Sequence, residues 1–284
     1  MKTKTFLLNF FFIFIAVSCT SKKELKLTPS DAKGVFILKD SFAVKNLKDS
    51  LVYRKVWVYL PPNYKTSKEE FPVIYMHDGQ NLFDAKTSYA GEWKVDETLN
   101  NLFNETGKGF IVVGIENTGV ERLNEYSPWV HNKYGGGGGE NYINMIISHL
   151  KPKIDQSFKT LTGSENTAII GSSMGGLISY YAGLEHPDVF GKVGALSTSF
   201  WFSEEVKKFS LKKGGLQNSK LFLLVGEKEG ADMVNDMFAV VKELKKAGFN
   251  SKNIVSIAVP EAQHNESFWS SEFENVVINL FNIK

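Results

Sequence analysis

Residues 166–176 read NTAIIGSSMGG, and no other stretch restricts the architecture as tightly. Ala168-Ile169-Ile170 is a short apolar run that ends in Gly171. Ser172-Ser173-Met174-Gly175-Gly176 follows, and then an apolar stretch from Leu177 to Leu184 with helical length. A strand that turns sharply into a helix through G-x-S-x-G carries its central residue, Ser173, on a strained bend with Oγ pushed into the open. Gly171 and Gly175 have no Cβ, so strand and helix can pass closely at that point. The spacing alone is a weak signal, because a glycine-rich strand-to-helix turn needs no chemistry. What raises it is the apolar run before it and the helix after it.

A second test is chain order. Where such a turn presents a nucleophile, the acid and then the histidine follow it along the chain. Of the five histidines only His186 and His264 come after Ser173. His186, in Glu185-His186-Pro187-Asp188, ends the elbow helix and is too near in sequence to swing back. That leaves His264, just past the strand-like Ile254–Val259 and just before a helix carrying Phe268, Trp269 and Phe273. The acid belongs after another strand. Residues 220–226 read KLFLLVG, a continuous apolar run typical of a buried parallel strand, and Glu227-Lys228-Glu229-Gly230-Ala231-Asp232 follows. Glu229 is the first choice, Asp232 the second and Glu227 the third, since spacing does not separate neighbours in one loop.

The N-terminus reads as a targeting segment rather than as fold. Lys2 and Lys4 form a charged region, and Phe6 to Val17 an apolar one too short to span a bilayer comfortably. It ends in Ala16-Val17-Ser18-Cys19, and Cys19 is the only cysteine. A lone cysteine here resembles a bacterial lipobox, although Ala16 stands where that pattern favours Leu; ordinary secretion with cleavage near Ser18 is the alternative. The expected organisation is a signal peptide over 1–18, a lipidated Cys19 with a polar tether over 19–33, and one domain over 34–284. The expected location is the bacterial cell envelope, with a lipid anchor facing the periplasm or cell surface. With a single cysteine no internal disulfide exists, so a large core must hold the fold. Loss of Lys2 and Lys4 with the signal leaves 31 basic against 31 acidic residues. That balance offers no footprint for nucleic acid, and membrane contact is expected only through the anchor.

From Val35 onward strands alternate with helices. Residues 35–44 and 51–60 read as an antiparallel opening pair, stopped by Pro61-Pro62-Asn63. Strands are expected over 71–76, 110–115, 168–170, 192–196, 221–225 and 254–259. Helices are expected over 95–103, 142–158 with a kink at Pro152, 177–184, 232–247 and 268–281. The expectation is an α/β fold: a mostly parallel central sheet of about eight strands with an antiparallel N-terminal pair, and helices on both faces.

Acyl-transfer chemistry at Ser173 would need two N–H donors aimed at an oxyanion. Met174 follows the nucleophile and supplies one. The loop after the third strand, His77-Asp78-Gly79-Gln80-Asn81, supplies the other from Gln80, unless Asp78-Gly79 is merely a β-turn. His77 reads as a packed strand-end residue. Trp201, Trp129 and Tyr134 sit in loops near the expected rim and are candidate substrate-lining residues, with loop packing as the alternative. Trp93 and Trp269 read as structural. Arg122 and Glu125 are spaced for an i,i+3 ion pair. Gly135 to Gly139 is a run of five glycines, read as a mobile wall or a slack connector. No His, Asp and Glu cluster has metal-site spacing, so no metal and no cofactor are expected.

Together these pieces resemble the esterase-D-like "putative esterase" group of α/β-hydrolases. That group includes feruloyl and acetylxylan esterases, enterochelin-type siderophore esterases, S-formylglutathione hydrolases and mycolyltransferases. The likeness covers nearly all of residues 50–282. It rests on VWVYLPPNY (56–64), VIYMHDGQNLF (73–83), RLNEYSPW (122–129), LKPKIDQSF (150–158), IIGSSMGGLISYYAGLEHPDVFG (169–191) and HNESFW (264–269). The resemblance implies an α/β-hydrolase fold, Ser173 as nucleophile, His264 as base and Glu229 as the acid three residues beyond Gly226. Many relatives carry Asp at that last position. It also implies a serine esterase, with acetyl or hydroxycinnamoyl esters of exported carbohydrate as the leading substrate class. A siderophore lactone, acyl transfer and a non-catalytic binding role on the same fold are the competing readings.

Overall fold

The computed structural model describes residues 25–214 and 219–284. The expected signal peptide and Cys19 lie outside the described residues. The strands are β1 (Leu27–Pro29), β2 (Val35–Leu38), β3 (Phe42–Lys45), β4 (Leu51–Arg54), β5 (Val56–Tyr59), β6 (Val73–Met76), β7 (Ile111–Ile115), β8 (Val130–His131), β9 (Gly135–Gly136), β10 (Thr167–Ser172), β11 (Lys192–Leu196), β12 (Lys220–Gly226) and β13 (Ile254–Val259). The helices are α1 (Val95–Thr106), α2 (Arg122–Glu125), α3 (Gly139–Met145), α4 (Lys151–Ser157), α5 (Met174–Glu185), α6 (Glu205–Lys213), α7 (Ala231–Lys246) and α8 (Glu266–Phe281).

Nine strands form one sheet in the order β1-β2-β5-β7-β6-β10-β11-β12-β13. From β7 to β13 every pairing is parallel, and β1, β2, β5 and β7 pair antiparallel. The mixed α/β architecture is the one the alternation implies, and period-two burial explains it. Along β6, Val73 and Tyr75 enter one core while Ile74 and Met76 enter the other. Along β12, Leu221, Leu223 and Val225 face the first core, and Phe222 and Leu224 the second. Helices α3, α5 and α7 cover the first face; α1 and α8 cover the second.

Four details differ from the sequence reading. Leu27–Pro29, read as tether, pairs with β2 as an added edge strand, which makes nine strands rather than eight. The two long N-terminal runs each split: β2 and β5 join the main sheet, whereas β3 and β4 form a separate hairpin. Polar residues at 39–41 and Lys55 break the runs. The 142–158 helix is three pieces, with a π-helical turn at Ile146–Leu150 just before Pro152. A proline without an N–H cannot continue the i→i−4 ladder, and the wider turn absorbs the defect. Helix α6, rich in lysine and weakly periodic, has no clear signal in the sequence.

The glycine run is also fixed rather than slack. Gly135, Gly136 and Gly137 all have positive φ (82°, 107°, 93°). Asn124 Oδ1 accepts the Gly136 N–H at 3.0 Å, Ser127 O accepts those of Gly137 and Gly139, and Asn124 O that of Gly138. A Cβ on Gly136 would sit 2.2 Å from Trp129 O. The run is glycine because the backbone there is left-handed and pressed against residues 127–130.

Candidate active site

Strand β10 lies in the middle of the parallel run, and its carboxyl end is where an open α/β sheet gathers ligands. Ser173 follows it with φ 58° and ψ −122°, a conformation costly for a residue with a side chain. Its N–H donates to Leu196 O at 2.9 Å, and its carbonyl accepts from Ser199 N at 3.1 Å, so the bend is pinned to the end of β11. A Cβ at Gly171 would lie 2.6 Å from the Gly175 backbone, so that position must stay glycine, whereas one at Gly175 would press on Asp78 Oδ2 at 3.3 Å and His77 Cβ at 3.4 Å. Helix α5 is buried on all sides from Met174 to Leu184, so the bend is anchored from below as well. Ser173 Oγ lies 3.3 Å from Ser199 Oγ.

His264 comes from the loop after β13, held by the Asn265 cap of α8, whose Oδ1 accepts the Phe268 N–H at 3.0 Å. Its Nδ1 is 2.7 Å from Glu229 Oε2. The Glu229 carboxylate is almost wholly enclosed. Its Oε1 accepts the Gly226 N–H at 2.7 Å and the Ser197 hydroxyl at 2.5 Å. Ser197 Oγ in turn accepts the Trp269 indole N–H at 2.8 Å, and the edge of Trp269 meets the His264 ring at 5.0 Å and 87°. Of the three loop acids only Glu229 meets the histidine; Glu227 and Asp232 are exposed. The two loops are tied together by the Lys228 N–H on Ala262 O at 3.0 Å.

Ser173 and His264 line one cavity of about 640 Å³. Gln80 lines it too, in a short turn at Gly79–Asn81; its Oε1 accepts the Asn117 N–H at 3.2 Å and its carbonyl the Thr87 hydroxyl at 2.7 Å. Met174 is the first residue of α5, where helix N–H groups have no intrahelical acceptor.

The far wall is charged. Asp78, with φ 55°, accepts Arg122 Nε and Nη2 at 2.8 Å each and Asn117 Nδ2 at 2.6 Å. Burial alone would push its carboxyl up, but Arg122 beside it, with Asn117, holds it below the usual range. Glu266 in the same wall is pushed up by burial and by Asp78. His77 is buried, its Nδ1 is 2.8 Å from the Tyr142 hydroxyl, and burial lowers its pKa to about 3.

Arg122 therefore does not pair with Glu125. Helix α2 is one turn long; it turns Arg122 to the cavity and Glu125 inward. There Glu125 meets Arg54 in an enclosed bidentate pair at 2.9 and 2.8 Å. The structure does not bring the three candidate rim aromatics into the cavity either. Trp129 packs on Tyr181 and Phe209, while Tyr134 and Trp201 stack together on the surface beside His131. Their places are taken by Tyr89, Trp93 and Trp269, with Glu116, Asn117 and Arg122. Trp201 stands on a short turn after Ser199, and Phe200 and Phe202 on either side of it are buried; that alternation points Trp201 outward.

A family model described as "Putative esterase" matches residues 52–279. The chain is 29% identical over 245 residues to the Bacillus subtilis (strain 168) protein named "Uncharacterized protein YbbA", covering 80% of this chain and 92% of that one. It is 30% identical over 232 residues to an endo-1,4-beta-xylanase/feruloyl esterase of Xylanibacter ruminicola, covering 79% of this chain but 29% of that longer protein. Among solved structures it resembles the enterobactin esterase FES of Shigella flexneri, with a TM-score of 0.69 at 20% identity, covering 86% of this chain and 58% of that one. At that identity the likeness speaks for the fold alone.

Proposed function

This chain belongs to the "Putative esterase" family, and from that premise we propose that it is a serine carboxylic-ester hydrolase acting through Ser173, His264 and Glu229. The observation that carries the reading is the hydrogen-bonded chain from Trp269 through the buried Ser197 to the enclosed Glu229 carboxylate and on to the exposed His264, which lines the same cavity as Ser173.

In the first step Ser173 Oγ turns from Ser199 toward His264 and attacks the ester carbonyl as His264 Nε2 takes its proton. The bond from carbonyl carbon to leaving oxygen breaks, and His264 returns the proton to the departing alcohol. Water then attacks the acyl-enzyme by the same route, and Ser173 recovers its proton as the acid leaves. Glu229 fixes the tautomer with the proton on Nδ1 and stabilises the cationic ring. The N–H groups of Met174 and Gln80 stabilise the oxyanion, and losing one such donor costs about 3 kcal/mol of barrier. None of these steps calls for a cofactor.

The wall supports one substrate class over the other. Asp78, Glu116 and Glu266 set three carboxylates against one guanidinium, Arg122, itself already paired. Such a wall suits a neutral, hydroxyl-rich alcohol and repels a polyanion. It favours acetyl or hydroxycinnamoyl esters of carbohydrate over a siderophore carrying several catecholates. The feruloyl esterase relative supports the same choice. The N-terminal segment and Cys19 support export to the cell envelope with a lipid anchor, where such polymers arrive. Ser173→Ala is expected to abolish both p-nitrophenyl acetate hydrolysis and fluorophosphonate labelling. Wild-type rates in that variant would end the proposal. Acetylated xylan, methyl ferulate and a catecholate trilactone, compared side by side, test the substrate class.

A further inference from the structure

On the outer side of the loop that leads into α1 lies a second cleft, of about 440 Å³, lined by Asp84, Ala85, Lys86, Glu92, Asp96 and Glu97, among others. Glu92, Asp96 and Glu97 each offer a carboxylate oxygen, and these oxygens lie within 4.8 Å of one another. Asp96 is only 3% exposed, and its Oδ1 finds no hydrogen-bond partner among the described residues. No salt bridge joins a lysine to any of the three among the described residues; Lys86 is paired instead with Asp31 at 3.2 Å.

Acidic residues in the first turn of a helix complement its dipole, which accounts for Asp96 and Glu97 as far as it goes. It does not account for a third carboxylate brought in from Glu92, nor for a buried oxygen with no donor. Three carboxylates converge on one point, and Lys94, whose charge acts on Glu92, makes no salt bridge to any of the three among the described residues. The donors are all hard oxygens, with neither imidazole nor thiolate, which selects an alkaline-earth ion over zinc or copper. Converging carboxylates with an open side for water fit the six to eight flexible ligands of Ca²⁺ better than the rigid octahedron of Mg²⁺.

We propose that Glu92, Asp96 and Glu97 bind one Ca²⁺ ion that braces the loop over residues 84–94. Ala85 near the start of this loop and Glu92 near its end line the same cleft, so the ion would draw the two ends together. The opposite side of the same loop is the catalytic rim. Thr87, Tyr89, Ala90 and Trp93 line the main cavity, and Asn81 ties them to the strand-end turn by accepting the Trp93 N–H at 2.9 Å and the Tyr89 N–H at 3.0 Å. Sequence spacing does not reveal this site, because Glu92 precedes the helix and only the turn at Lys94 brings it back onto the other two.

The test does not depend on catalysis. Thermal unfolding of the protein in EDTA and in millimolar CaCl₂ is expected to show a Tm rise of about 5 °C at Ca²⁺ near a hundred times Kd. TbCl₃ should give luminescence sensitised by Trp93, next to Glu92, and CaCl₂ should displace it. Asp96→Asn and Glu97→Gln should each lose both responses. Glu97 is exposed, so its variant keeps the test open should the Asp96 variant fail to fold. An identical Tm in EDTA and CaCl₂, an unaltered response in Glu97→Gln, or an equal rise with MgCl₂ would overturn the assignment.

Discussion

Ser197→Ala probes the part of the site that neither touches substrate nor shows in a motif. Ser197 is fully buried, with φ 45°, and its Oγ serves two partners: it donates to Glu229 Oε1 at 2.5 Å and accepts the Trp269 indole N–H at 2.8 Å. Removing the hydroxyl takes a donor from a buried carboxylate, about 1.5–3 kcal/mol, and leaves a buried N–H unpaired, about 1–3 kcal/mol. A loss of roughly 3–5 kcal/mol in urea unfolding follows. Glu229 keeps the Gly226 N–H and His264, so the acid stays in place but less firmly. We expect kcat on p-nitrophenyl acetate to fall about 10- to 100-fold, short of the ~10⁴ that follows loss of correct His orientation in a triad. KM should hold, since Ser197 is not part of the cavity wall. Ser197→Gly loses the same two bonds but relieves the left-handed backbone, and should be the more stable of the two by about 1 kcal/mol. Stability within 0.5 kcal/mol and kcat within a factor of two of wild type for Ser197→Ala would refute the relay.

Three further outcomes follow from the same geometry. Glu229→Gln should lower kcat by about 10³- to 10⁴-fold while Asp232→Asn changes it less than twofold; steady-state kinetics that reverse this order would move the acid to α7. Arg54→Met should cost about 3–5 kcal/mol in urea unfolding because it strands the buried Glu125, whereas adding Glu125→Leu should restore most of it; a double variant as unstable as the single one would contradict this. Burial lowers His77 to about 3, so between that value and 6.5 the unfolded chain binds the extra proton. Stability is thus fully present above pH 6.5 and drops as pH falls below it, by up to about 1.4 kcal/mol per unit; His77→Asn should flatten that slope between pH 6.5 and 5, and an unchanged slope would rule the assignment out.

What the sequence made legible is what local patterns encode. The elbow at Ser173, the buried strands and the amphipathic α7 each follow from a periodicity of two or 3.6 or from a glycine pair. Chain order singles out His264 and one acid-bearing loop, and the structure places His264 beside Glu229 of that loop. What stayed hidden depends on which way a short element faces. Arg122 and Glu125 sit three residues apart, yet one turn of helix sends them to opposite sides, and their partners, Asp78 and Arg54, are more than forty residues away. The rim aromatics were misassigned for the same reason: a loop tryptophan carries no periodicity, and Tyr89 is no louder in the sequence than Tyr134. Ser197 and Ser199 belong to the polar triplet Ser197-Thr198-Ser199 after the apolar residues 193–196, and all three are buried.

The two walls of the candidate site are held by different means. Glu229 and His264 follow neighbouring parallel strands, and a backbone bond joins their loops, so their geometry is set by the sheet and by the buried bonds of Glu229 to Ser197 and Gly226, while the His264 ring itself is exposed. The opposite wall comes from the loops after β6 and β7 and from α2, and it is braced by one partly exposed ion pair, Arg122 with Asp78. Residues along the Arg122 wall can therefore change without loosening the placement of Ser173, His264 or Glu229.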